Sequence, residues 1–129
     1  MKKLFESHHP LRRAKSFHYA FKGIWHALLN EANFRIQIFI AINIIILGFY
    51  FKITTIEWGL LIISTGFLLS AEMVNTVIEE FIDHLIKEES EGARIIKDLG
   101  AGFVLVTALT VLTILNLIFW PRIAPLINL

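Results

Sequence analysis

The chain has 129 residues, one domain's worth, but its composition is not that of a soluble domain. It is 56% hydrophobic and 18% charged with a mean hydropathy of +0.67, whereas soluble chains carry about 25% charged residues. Cysteine is absent, which excludes disulfides, thiolate catalysis and cysteine-based zinc sites, and the net charge of +1 conceals a polarised distribution.

The first predicted element is a helix over 11–30. Ala14, Phe17, Phe21, Ile24 and Leu28 recur at three- and four-residue intervals, with Arg12, Lys15, Tyr19, Lys22 and His26 on the other side. This pattern predicts an amphipathic helix on an anionic membrane surface, the alternative being a helix packed on a partner. Three apolar segments follow, expected as spans over 34–52, 57–84 and 98–120, since about 20 apolar residues cross the hydrocarbon. Gln37 stands just inside the first, Glu72 is the one ionisable residue in the apolar part of the second, and Pro121 and Pro125 are expected to close the third. The expected fold is all-α: a single membrane-embedded domain over 1–129, three transmembrane helices preceded by a surface helix.

Basic residues orient the spans. Lys2, Lys3, Arg12, Arg13, Lys15, Lys22 and Arg35 precede or open the first span, and Lys87, Arg94 and Lys97 lie between the second and third. Only Lys52 and Arg122 fall on the other side. The N-terminus is therefore expected in the cytoplasm and the C-terminus outside. A basic segment that leads into a span favours anionic lipid over nucleic acid as its partner.

The second span changes character at Ala71. On a helix turning 100° per residue, Glu72, Asn75, Thr76, Glu79 and Asp83 share one third of the circumference, opposite Val74, Val77, Ile78, Phe81 and Leu85. Glu80, Glu88, Glu89 and Glu91 read as the solvated end of a long helix. Glu72 and Asn75 do not, because a membrane helix has no need of them. Carboxylates clustered on a helix bind hard cations such as magnesium, and one near the headgroups can take a proton from a lipid hydroxyl. No phosphate-binding glycine loop and no H-E-x-x-H occurs, and the five histidines show no ligand spacing. "GAG" at 100–102 reads as small residues that allow close helix packing.

The pattern "ExxNTxIExxxD" from Glu72 to Asp83, followed by "KDLGAG" at 97–102, resembles the prokaryotic diacylglycerol kinase and undecaprenol kinase family. "KSFHYAFKG" at 15–23 and "NEANFR" at 30–35 match it in the same order. The resemblance implies a homotrimer of three-span subunits in the cell membrane, with active sites at subunit contacts near the cytoplasmic face. It implies transfer of the γ-phosphoryl group of MgATP to a lipid hydroxyl. By the matched positions Glu72 is the general base and Asn75 orients groups beside it. Glu31 and Glu79 hold Mg2+, while Arg12, Lys97, Asp98 and Glu79 meet the ATP. Members specific for diacylglycerol tend to have an acid where this chain has Gln37. "TTIEWGLL" at 54–61 and "NTVIE" at 75–79 are more similar to the undecaprenol branch, so undecaprenol is the expected acceptor and diacylglycerol the alternative. Outside this reading stand a non-catalytic membrane subunit or scaffold, and a small transporter using Glu72 as a proton site.

Overall fold

The computed structural model describes residues 10–86 and 90–127, with side chains over 15–86 and 90–127. Lys2, Lys3, Lys87, Glu88 and Glu89, and the side chains of Arg12 and Arg13, lie outside the described residues. Within them the chain is helical apart from short connections: α1 (Pro10–Asn30), α2 (Ala32–Tyr50), α3 (Thr55–Leu85) and α4 (Glu91–Ile123), then a 3₁₀ turn at Ala124–Ile127. Three of these, α2, α3 and α4 with its 3₁₀ extension, are long and apolar enough to cross a membrane. At 1.5 Å per residue the 19 residues of α2 reach about 28 Å, close to the hydrocarbon thickness. The 31 residues of α3 and 33 of α4 reach about 46 and 50 Å, so both extend past the hydrocarbon.

α3 is the central helix. α4 packs along it, α2 and α1 also lie against it, and α1 touches α2. The outward surfaces are apolar: Phe39, Ile46, Ile63, Leu105 and Leu117 are all exposed. In water such surface drives aggregation, whereas lipid tails are as apolar as the side chains.

The apolar core gathers at the end where α2 turns into α3. Ile44, Ile53, Leu61, Ile118 and Phe119 are buried there, with Phe51, Trp58, Ile114, Leu115 and Ile123 packed around them. The turn is a Schellman motif: Lys52 N–H donates to the Phe49 carbonyl and Ile53 N–H to that of Gly48, each at 3.2 Å. Lys52 takes the left-handed conformation, φ 50°, that closes it. α3 then starts on a capping box, in which Thr54 Oγ1 accepts from Glu57 N–H and the Glu57 carboxylate accepts from Thr54 N–H. The same carboxylate accepts two bonds from Arg122 at 2.9 and 2.8 Å, tying the start of α3 to the end of α4.

Pro121 and Pro125 were expected to close the third span, yet α4 runs through Pro121 to Ile123 and a 3₁₀ turn follows over Ala124–Ile127. Proline's φ is already helical, and its missing N–H leaves one carbonyl, that of Leu117, without its helical donor, a loss that a membrane helix tolerates. The Arg122 guanidinium donates one residue further on, to the Ile118 carbonyl.

A second corner joins α1 to α2, where Glu31 alone leaves helical geometry, φ −97° and ψ 115°. Arg35 reaches back to donate to the carbonyls of Leu28 and Leu29, and Asn30 Nδ2 donates to that of His26. The Leu28 and Leu29 carbonyls are among the last four of α1, which have no partner within the helix. α1 meets α3 through Gly23, His26 and Ala27, around an apolar cavity of about 410 Å³. His26 belongs to the side expected to be polar. The apolar stripe points elsewhere, with Phe17 and Phe21 each 68% exposed.

Gly48 tests the core. A Cβ there would lie 2.7 and 2.9 Å from the Trp58 ring, whereas one at Gly59 would meet nothing within 4 Å. Gly48→Ala is expected to destabilise by about 1–3 kcal/mol, and Gly59→Ala to be neutral or stabilising by up to about 1 kcal/mol. Thermal unfolding of the two variants in detergent separates them.

Candidate functional site

At the far end of α3 from that core, the helix turns its polar face inward. Glu72, Asn75 and Thr76 are buried, Glu79 is half-buried, and Val74, Val77, Phe81 and Leu85 are exposed. The shared face read from the sequence is real, but its upper half points at α2 and α4 and only its last turns face outward. Among the described residues Glu72 is the largest fully buried side chain, 2% exposed. Burying a carboxylate without compensation costs several kcal/mol, so its partners matter.

Among the described residues Glu72 forms no ion pair. Its carboxylate has one hydrogen bond there, from Gln37 Nε2 of α2 to Oε2 at 2.8 Å. Thr76 Oγ1 donates to the Glu72 carbonyl at 3.1 Å. One turn further on, Asn75 Nδ2 donates to Glu79 Oε1 at 2.8 Å. Two amide–carboxylate pairs thus stand side by side along α3. Both amides spend their N–H on a carboxylate, and the oxygens left over, Gln37 Oε1 and Asn75 Oδ1, are buried without a partner. A carboxylate accepts only, which fixes which end of each amide faces it.

α4 closes the other side through Gly100. A Cβ at that position would sit 2.5 Å from Asn75 Oδ1, closer than atoms approach, so only glycine lets α4 come this near. Of the "GAG" residues Gly100 alone is buried. Gly102 has nothing within 4 Å of its missing Cβ.

The remaining expected site residues are more scattered. Glu31 is half-buried at the α1–α2 corner, and no hydrogen bond or ion pair joins it to Glu79 among the described residues. Lys97 pairs with Asp83 across α4 and α3, and Asp98 beside it is exposed. Arg12 lies in the first turn of α1 with its side chain outside the described residues. No group of three or more His, Asp or Glu able to hold a metal is found among the described residues. His26 and His84 both flank Glu80, at 3.6 and 3.2 Å, in an exposed cluster worth little to stability. Gln37 and Gly100 were noted in the sequence as a polar intruder and as a packing residue. What each faces is set by contacts between helices, and no spacing within one helix encodes that.

Gly100→Ala should displace Asn75 and break its bond to Glu79. Loss of stability of about 1–3 kcal/mol is expected, against little change for Gly102→Ala, read by thermal unfolding in detergent.

With the geometry in place, comparison with known proteins is informative. The sequence model described as "Prokaryotic diacylglycerol kinase" matches residues 18–119. The chain is 35% identical over 109 residues to undecaprenol kinase of Bacillus subtilis (strain 168), spanning 84% of this chain and 89% of that one. It is 27% identical over 109 residues to diacylglycerol kinase of Escherichia coli (strain K12), again 84% and 89% of the two chains. With diacylglycerol kinase of Haemophilus influenzae it shares 32% identity over 88 residues, 68% of this chain and 75% of the other. The chain belongs to the prokaryotic diacylglycerol kinase family.

Proposed function

We propose that this protein is an integral-membrane lipid kinase that moves the γ-phosphoryl group of MgATP onto the hydroxyl of a membrane lipid. The observation that carries the reading is Glu72: a buried carboxylate in an apolar span, held by an amide and without an ion pair among the described residues, in a member of a kinase family. Undecaprenol is the proposed acceptor, supported by the 35% identity to an undecaprenol kinase, with diacylglycerol second.

In this mechanism Glu72 accepts the proton of the lipid hydroxyl as its oxygen attacks the γ-phosphorus. A new P–O bond forms to the lipid, the bond to the ADP oxygen breaks, and the proton later leaves Glu72 for water. Phosphoryl transfer asks the protein mainly for position and charge neutralisation, so a small helical protein suffices. Asn75 holds Glu79 in place, and Glu79 with Glu31 would hold the magnesium. A magnesium ion takes one or two carboxylates beside phosphates and waters, so this donor set fits without a three-residue cluster. When bound, magnesium neutralises charge on the β- and γ-phosphates. Lys97 and Asp98 meet the nucleotide, with Arg12 assisting from α1. The Lys97–Asp83 pair is exposed, 36% and 60%, so opening it to a phosphate costs at most about 1 kcal/mol.

Among the described residues no hydrogen bond or ion pair joins Glu31, Lys97 or Asp98 to the Asn75–Glu79 pair. This supports a homotrimer in the cell membrane whose sites are completed between subunits. The exposed stripe of Phe17, Phe21 and Ile24 supports α1 lying on the membrane surface, its basic residues toward anionic headgroups. The N-terminus would be cytoplasmic and the C-terminus outside.

Purified protein in mixed micelles, offered undecaprenol or diacylglycerol with ATP, should form lipid phosphate only when magnesium is present, and faster from undecaprenol. Glu31→Gln and Glu79→Gln should each raise the magnesium concentration needed for half-maximal rate by about tenfold or more. No product from either lipid, by folded protein, would leave a non-catalytic membrane subunit as the better reading.

A further inference from the structure

Gln37 is the sixth residue of α2, a largely apolar helix, and nothing in the reaction described above requires it. Its amide nevertheless makes the one hydrogen bond that the Glu72 carboxylate has among the described residues, Nε2 to Oε2 at 2.8 Å across the α2–α3 contact. The basic side chains of the neighbouring elements are engaged elsewhere. Arg35 of α2 donates to the Leu28 and Leu29 carbonyls, Lys97 of α4 pairs with Asp83, and His26 of α1 lies against Glu80. The other Glu72 oxygen, Oε1, has no hydrogen bond among the described residues.

We infer that Gln37 is a positioning residue for the phosphoryl-transfer reaction: it holds one oxygen of Glu72 so that the other is presented to the acceptor hydroxyl. The inference rests on the lipid-kinase reading and deepens it. Chemistry explains why an amide suits this place. The amide N–H fixes one carboxylate oxygen by a directed hydrogen bond, which sets where the other oxygen points. A cation would do so more strongly, but by pairing with the base it would weaken its pull on a proton. A second carboxylate there could bond the first only by holding a proton between them, a pH-dependent arrangement that an amide avoids. An amide donates, does not titrate, and is short of one partner itself: its buried Oε1 is unpaired. That oxygen marks the side from which a donor on the bound substrates or on water would complete the network.

The test uses the full-length protein in mixed micelles, with wild type, Gln37→Met and Gln37→Glu compared at saturating lipid. Methionine keeps the length and apolar fit but neither donates nor accepts as an amide does. Gln37→Met should lower kcat on the order of ten- to a hundredfold, as expected for losing a hydrogen bond to a charged group, and leave KM for MgATP within about twofold. Gln37→Glu should move the acidic limb of the kcat–pH profile to higher pH, because the paired carboxylates retain a proton there. Wild-type kcat in Gln37→Met would overturn the inference. A matching fall in nucleotide affinity and thermal stability, with the limb of Gln37→Glu unmoved, would make Gln37 a packing residue and overturn it too. An inactive wild type would instead sink the kinase reading itself, and the inference with it.

Discussion

A carboxylate enclosed by apolar helices is the constraint on which this structure turns. Glu72 is 2% exposed, and taking such a group from water costs several kcal/mol unless its surroundings answer it. Its carboxylate is answered by one amide, Gln37 of α2, while its carbonyl accepts from Thr76. Beside it Asn75 holds Glu79, and α4 comes close to Asn75 because residue 100 has no side chain. Once the polar face of α3 is committed inward, the apolar residues opposite must face outward, which only a lipid environment accommodates. An inside-polar, outside-apolar helix is thus the consequence of burying one acid.

The two ends of the bundle divide the work. Where α2 meets α3, aromatic and aliphatic side chains pack, a Schellman turn and a capping box fix the backbone, and Glu57 with Arg122 clamps the termini of α3 and α4. The other end carries two unpaired buried amide oxygens, an exposed ion pair and a cavity beside α1. Unsatisfied polar groups at one end and full satisfaction at the other is the pattern expected where stability is given up locally for binding and chemistry.

Much of this was legible in the sequence, and the reasons are physical. Long apolar runs announce membrane helices because the bilayer sets their length, and the 3.6-residue period puts Glu72, Asn75 and Glu79 on one face without any tertiary information. Contacts between helices are not written in any period. That Gln37 reaches Glu72 and Gly100 faces Asn75 depends on how the helices rotate and slide against each other. The α1 contact shows the same limit: amphipathic reading put His26 on the free side, whereas small residues beside it let α1 approach α3 there. Pro121 was read as a stop because the rule for soluble helices counts the lost donor, whereas a long membrane helix absorbs the loss of one bond. Glu31 reached the site only by resemblance, since its structure alone is that of a residue between two helices.

The central claim is that Glu72 takes the proton from the acceptor lipid, and Glu72→Gln tests it most directly. Turnover on undecaprenol and MgATP affinity would be measured on the same folded preparation. The account predicts a fall in kcat of about a hundred- to ten-thousandfold with MgATP binding unchanged. A variant that phosphorylates lipid at the wild-type rate would show that the buried carboxylate is not the base.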